Sequence, residues 1–207
     1  MNAAPDYASL PPTAFAGVIG RDRVMDIGMR ALWSGMPRLA GPAYTARCMP
    51  GDNLMLHAAI YRAPAGSVLV VEGADADYAL AGGNVCRIAQ RRGIAGFVVD
   101  GVVRDLSEIR EIRFPVFARG VIPIPGSREG IGTLDRPIRC GGALVEPGDV
   151  VIADEEGIIV LPSASAAEML ARAGALEAAD IAMSLDEWEA KHRARVEGTL
   201  REKHFPG

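Results

Sequence analysis

The sequence predicts an α/β fold, and three observations carry that prediction. Two β-branched apolar runs, "SVLVVEG" (67–73) and "IAGFVVDG" (94–101), are each followed by a stretch of helical periodicity. From "FPVFARG" (114–120) to residue 162 the chain breaks into short runs divided by glycine and proline turns, and from 163 to about 201 it returns to helix. Strand-then-helix units in succession read as a βαβ arrangement, whose ligand sites lie beyond the carboxyl ends of the strands.

Each element has a local reason. In "RDRVMDIGMRALW" (21–33), Val24, Ile27, Met29, Ala31 and Leu32 form a helical stripe with Asp22 as its cap. "GPAYTARC" (41–48) alternates as a strand does, Pro50 and Gly51 turn the chain, and Asp52 or Asn53 caps a helix through "LMLHAAIYRA" that Pro64 stops. After "SVLVVEG" comes the helix "NVCRIAQRRG", with Val85, Ile88 and Ala89 on one face and Gly93 past its end. After "IAGFVVDG" comes the helix "DLSEIREIR" (105–113). "FPVFARG" and "RPIRCGGALVEPGDVVIADEEGIIVLP" (136–162) read as a β-meander turned by "PGD" and "DEEG". The tail predicts a helix capped by Ser163 or Ser165, then a charged one, with an apolar face too narrow to stand alone, so that it packs across the domain or on a neighbouring subunit.

Composition narrows the function. With 207 residues, a nearly half apolar make-up and a net charge of -4, the chain reads as a single soluble domain, 1–207, with its core at about 15–162 and helices at 163–201. No cluster of basic residues marks a phosphate-neutralising surface, so nucleic acid is not an expected partner. Cys48, Cys86 and Cys140 are odd in number and far apart, which speaks against a disulfide framework or thiolate zinc site and for the cytoplasm. No leader-like start and no apolar run of membrane length is present in the sequence, so no membrane role is expected. HExxH, GxSxG, GxGxxG and P-loop patterns are missing, which removes the familiar hydrolytic and nucleotide chemistries.

The candidate chemistry gathers around "DGVVRDLSE" (100–108). Asp105 and Glu108 are three apart, so on a helix they share a face and could converge on a cation; the same spacing is also a reciprocal helix cap, which local pattern favours, and the two roles are compatible. Arg104, at the end of a buried strand, could grip a carboxylate with its planar fork or form an ordinary surface salt bridge, with Glu108 as a candidate partner. Gly82, Gly83 and Asn84 bring flexible backbone to a helix N-terminus, suited to an anion or to close helix–strand packing. His57 sits in an apolar-rich helix, where a lone histidine is usually a hydrogen-bonded core residue; His192 and His204 lie in the charged tail.

Taken together, "GPAYTARCMPGDNLMLHAAI", the glycines at 82 and 83, "GIAGFVVDGVVRD" and the run from "PVFARG" to "DEEGIIVLP" resemble one family. It unites the regulator of ribonuclease activity A with the 4-hydroxy-4-methyl-2-oxoglutarate / 4-carboxy-4-hydroxy-2-oxoadipate aldolases. The resemblance implies a layered α/β/β/α sandwich similar to the swivelling phosphohistidine domain, assembled as homotrimers or hexamers with sites between subunits. It implies a metal-dependent (class II) pyruvate aldolase or oxo-acid lyase, with Arg104 and Asp105 as carboxylate/enolate partner and metal holder. The amides of Gly82, Gly83, Asn84 and Val85 would receive the pyruvyl carboxylate, and Asn53 and His57 would line the pocket.

The aldolases of this family carry an aspartate where this chain has Gly83, and Glu108, one helical turn beyond Asp105, is the carboxylate expected to take its place. Cleaving a C–C bond beside a carbonyl leaves an enolate, which a hard cation and Arg104 would stabilise; oxygen ligands with retained waters select Mg²⁺ or Mn²⁺. Oxaloacetate decarboxylation yields the same enolate. The rival expectation is a non-catalytic regulator that binds and inhibits a ribonuclease. A methyltransferase reading finds no methyl-donor motif.

Overall fold

Four parallel strands and the helices that link them build the half of the molecule that carries the candidate site. The computed structural model describes residues 5–206. A two-residue strand β1 (Arg30–Ala31) precedes β2 (Leu39–Arg47), α1 (Leu54–Arg62), β3 (Val68–Glu72), α2 (Gly83–Arg91), β4 (Gly96–Val103), α3 (Leu106–Glu111) and β5 (Val116–Val121). Then come β6 (Thr133–Leu134), β7 (Ile138–Cys140), β8 (Ala143–Val145), β9 (Val150–Asp154) and β10 (Gly157–Leu161), and last α4 (Ala166–Ile181) and α5 (Leu185–Glu202). Strands β2, β3, β4 and β5 are mutually parallel, so the alternation of β-branched runs with helices becomes a chain of βαβ units.

The main sheet runs β1-β5-β4-β3-β2-β9-β10, with β6 also on β2. Strand β2 joins its two halves: Leu39–Pro42 pair antiparallel with β9, whereas Ala43–Arg47 pair parallel with β3. The sheet curls into a nearly closed, barrel-like form. Val70, Val98 and Phe117 of the parallel half share one buried cluster with Val151, Ala153, Ile158 and Val160 of β9 and β10. The β7–β8 hairpin closes that cluster with Ile138, Cys140, Ala143 and Val145. On the other side of the parallel strands, Leu56, Ala59 and Ile60 of α1, Cys86 and Ala89 of α2 and Ile109 of α3 pack on Leu69, Val71, Phe97 and Val99. The molecule is thus a mixed α/β fold. No helix among the described residues is long and apolar enough to cross a membrane.

Three expectations are corrected. Residues 22–33 are not helical: a 3-10 turn at Arg21–Arg23 leads into bends and β1. Asp26 ends any helix there, because its Oδ1 accepts the Gly28 amide at 2.8 Å while Arg119 holds the same carboxylate at 2.8 Å. Met25 and Met29 are buried in the barrel interior, whereas Ile27, which the predicted stripe would bury, is 90% exposed. "FPVFARG" belongs to the parallel array as β5 and β9 pairs with β2, so the second half is not a simple meander. Helix α3 is six residues long, ended by Arg113 at φ 53 and the buried Phe114.

In the tail, α4 buries Ala166 and Ala173 against Phe15, Ile152 and Leu161. Ser165 stands at its N-terminus without a side-chain capping bond. Helix α5 buries no residue and starts from a full capping box between Ser184 and Glu187, a signal "SLDE" offered and the sequence reading passed over.

Candidate active site

The carboxyl ends of β4 and β5 and the N-terminal ends of α1 and α2 meet around a pocket of about 170 Å³. Its floor is the extended segment Ala79–Gly82, which is stitched on both sides. Leu80 N–H donates to the Val102 carbonyl and Arg104 N–H to the Ala81 carbonyl, each at 2.9 Å, while Ala79 N–H donates to the Ile124 carbonyl at 2.7 Å. This delivers Gly82 and Gly83 directly beneath the turn where β4 becomes α3.

That turn decides what Asp105 does. Its backbone is left-handed, φ 56 and ψ 40, a conformation aspartate tolerates better than most side chains. It makes no side-chain cap on α3, so the reciprocal cap expected from the Asp-x-x-Glu spacing is absent. The carboxylate instead crosses to the next helix, where Oδ2 accepts the Gly83 amide at 3.1 Å at the positive end of α2. Arg104 Nε lies 3.4 Å from the same oxygen, so its ion pair is with Asp105 and not with Glu108.

Glu108 reaches the same place. A methyl group built on Gly83 would overlap the Glu108 carboxylate, and one built on Gly82 would stand 2.5 Å from Asp105 Oδ2. Each of the two carboxylates thus lies over one of the two consecutive glycines. Glu108 therefore occupies the space from which a side chain at position 83 would grow. Its other neighbour is Arg87, at 3.7 Å. Two carboxylates suit a hard divalent cation, which commonly takes one or two protein carboxylates and keeps several waters. No cluster of three or more potential ligands occurs among the described residues, so waters or substrate oxygens would complete the shell.

The remaining walls are polar and partly unsatisfied. The amides of Asn84 and Val85, in the first turn of α2, have no acceptor among the described residues. Asn53, 2% exposed, donates from Nδ2 to the carbonyls of Ala79 and Gly126 at 3.4 and 3.2 Å, which leaves its buried Oδ1 without a partner. A buried orphan acceptor lining a polar pocket points to a donor that arrives with ligand. His57 is half-buried in the pocket wall rather than in the core. Burial first, then the charge of Arg128, lower its pKa below the usual 6.5, against the Leu80 backbone and Asp52, which raise it. Both causes favour the neutral imidazole. The buried Cys86 thiol at the base of α2 is held protonated by desolvation and by the charge of Asp105, and so is no nucleophile.

Every predicted site residue, Asn53, His57, Gly82, Gly83, Asn84, Val85, Arg104, Asp105 and Glu108, comes together around the first turn of α2 and the pocket beside it. Two residues escaped the sequence reading. Arg128 lines the pocket from the loop between β5 and β6. Asp52, read there only as a helix cap, does cap α1 through Leu54 N–H at 2.8 Å but also binds that loop through its second oxygen. The glycine-flanked "GSREG" was the available signal; its partner lies 75 residues away.

The chain has relatives among known proteins. The chain is 38% identical over 158 residues to a protein of Halalkalibacterium halodurans named "Putative 4-hydroxy-4-methyl-2-oxoglutarate aldolase", covering 76% of this chain and 71% of that one. A protein of the same name from Burkholderia multivorans is 38% identical over 142 residues, 68% of this chain and 85% of the relative. Among solved structures, the RNA-processing inhibitor RraA from Thermus thermophilis superposes with a TM-score of 0.62 at 35% identity, over 67% of this chain and 84% of that one. RraAS2 of Streptomyces coelicolor, described as an unusual member of the RNase ES inhibitor RraA family, gives 0.65 at 32% identity over 84% and 85%. The family described as "RraA-like: Aldolase/RraA" matches residues 13–160, and the chain belongs to it.

Proposed function

We propose that this protein is a divalent-metal-dependent lyase that cleaves a 4-hydroxy-2-oxo acid by retro-aldol reaction, releasing pyruvate, or decarboxylates oxaloacetate. The observation that carries the reading is the pair of carboxylates, Asp105 and Glu108, laid over Gly82 and Gly83 beside Arg104 and two unpartnered helix amides. The names of the aldolase relatives support the reaction class.

Asp105 and Glu108 would hold Mg²⁺ or Mn²⁺. When bound, that cation supplies Lewis-acid polarisation of the 2-oxo group. The amides of Asn84 and Val85, with the dipole of α2, receive the C1 carboxylate, and the Arg104 guanidinium lies alongside to stabilise negative charge at the C2 oxygen. In the retro-aldol direction the C4 hydroxyl loses its proton and the C3–C4 bond breaks. Its electron pair passes to C3 as pyruvate enolate, C4 becomes a carbonyl, and C3 then takes up a proton. Decarboxylation of oxaloacetate ends at the same enolate. Asn53 Oδ1 accepts from a donor on the substrate side, and His57, neutral, stands at the pocket wall able to accept or donate. Family membership supports, within the same proposal, a layered α/β/β/α arrangement, a homotrimer or hexamer, and a place in the cytoplasm.

Similarity to the ribonuclease inhibitors RraA and RraAS2 favours a second reading, a regulator that binds and inhibits a ribonuclease. Pyruvate release from oxaloacetate and from 4-hydroxy-4-methyl-2-oxoglutarate separates the two. The lyase reading expects turnover with Mg²⁺ that chelator, Arg104→Ala and Asp105→Ala each abolish. A wild type inert on both acids that inhibits a ribonuclease would replace it with the second.

A further inference from the structure

Each of the two carboxylates over the glycine pair has an arginine of its own. Asp105 has Arg104, whose Nε lies 3.4 Å from Oδ2, and Glu108 has Arg87, whose Nη2 lies 3.7 Å from Oε2. The second pairing is shared. The same Arg87 nitrogen is 3.7 Å from Oε2 of Glu111, one turn further along α3, a distance too long for a hydrogen bond to either carboxylate. Residue spacing explains the arrangement. Gly83 and Arg87 are four apart on α2, Glu108 and Glu111 are three apart on α3, and the two helix faces so formed meet. Gln90 Nε2 donates to the Ile112 carbonyl at 2.9 Å, which ties α2 to the end of α3 without help from Arg87.

Three carboxylates, Asp105, Glu108 and Glu111, thus face two guanidiniums. Glu108 stands between two positive charges, Arg87 on one side and, in the proposed function, a divalent cation on the other. A buried, hydrogen-bonded arginine would withhold this carboxylate from a metal. The side chains of Arg87 and Glu108 are 44% and 46% exposed, so their attraction is weak and readily exchanged. Glu111 is the partner left to Arg87 when Glu108 turns to the cation. We propose that Arg87 is a positioning residue for Glu108: it is the counter-ion that competes with the divalent cation for this carboxylate, and Glu111, by sharing Arg87, sets how readily Glu108 is released. The inference rests on the proposal that Asp105 and Glu108 hold a divalent cation, and it adds the pair of residues that tunes the affinity.

Mn²⁺ affinity tests it without requiring turnover. Titration of the metal-free protein, followed by the electron paramagnetic resonance of the free ion, would compare wild type, Arg87→Gln, Arg87→Lys, Glu111→Gln and the double variant Arg87→Gln/Glu111→Gln. Arg87→Gln is expected to bind Mn²⁺ about threefold to fivefold more tightly, the effect of removing one half-exposed charge. Arg87→Lys keeps the charge and should stay near wild type. Glu111→Gln should weaken binding by about twofold to threefold, because Arg87 then has Glu108 alone, and on the Arg87→Gln background the same change should have little effect. Glutamine and arginine have similar helix propensities and residue 87 is half-exposed, so the variants report charge and not folding. An Arg87→Gln variant that binds no more tightly than wild type, or a Glu111→Gln loss equal in both backgrounds, overturns the inference and leaves the cation reading standing. A wild type that takes up no Mn²⁺, with or without a 2-oxo acid, sinks the cation reading and the inference with it.

Discussion

Replacing Asp52 by asparagine tests how the candidate site is held together, and its effect can be worked out in advance. Burial alone would raise the pKa of this carboxyl; the Ser127 hydroxyl and the amides of Glu129, Gly130 and Leu54 outweigh it and hold the value at about 2 against an ordinary 3.8. That difference corresponds to about 2 kcal/mol of folding stability. The folded pKa is the lower one, so the contribution is complete above pH 3.8 and is lost as the pH falls toward 2. Asparagine has one acceptor oxygen where aspartate has two. If that oxygen keeps the three loop donors, the Leu54 amide faces an NH₂ group and α1 loses that bond, a loss already contained in the pKa difference. Urea unfolding followed by circular dichroism at several pH values between 7 and 3 measures the gap between wild type and variant. About 2 kcal/mol is expected at pH 7, narrowing in acid. A gap below about 0.5 kcal/mol, or one that does not change with pH, would refute the hold of Asp52 on the 127–130 loop.

Two further outcomes follow from the same geometry. Gly82→Ala places a methyl group 2.5 Å from Asp105 Oδ2 and 3.0 Å from Arg104 Cγ, at a backbone φ of -149 that alanine adopts freely. Mg²⁺ affinity by calorimetry and lyase turnover should both fall by about tenfold or more while the urea midpoint hardly moves; unchanged Mg²⁺ binding would detach Asp105 from the cation. His57 should titrate below 6.5 in an NMR pH series, and Arg128→Gln should move that midpoint up by removing a nearby positive charge. Because the folded value is depressed, the stability His57 contributes is present above 6.5 and is lost as the pH falls below it. A midpoint at or above 6.5 would place the imidazole in solvent, outside the pocket wall.

What could be read directly from the residues was whatever depends on near neighbours in the chain. The β-branched runs at 68–72 and 96–103, the turn at Pro50–Gly51 and the helix that Pro64 stops are local consequences of backbone sterics and apolar spacing. Their order dictated parallel strands with a site at the carboxyl ends, and "VVRD" placed Arg104 and Asp105 there. The errors arose where distant partners outbid local preference. Residues 22–33 have a helical stripe, but Arg119, 93 residues away, takes Asp26, and the barrel interior takes Met25 and Met29.

The exchange of partners at the site was likewise a tertiary decision. Asp105 has the spacing to cap its own helix, yet a left-handed turn sends it to the N-terminus of α2, and only because positions 82 and 83 lack side chains can it and Glu108 lie there together. Arg128 has only its glycine-flanked setting to mark it; it lines the pocket on a loop that Asp52 holds from 75 residues away. Chain-local chemistry set the kinds of group available, and long-range hydrogen bonds, which no spacing rule encodes, chose which of them meet.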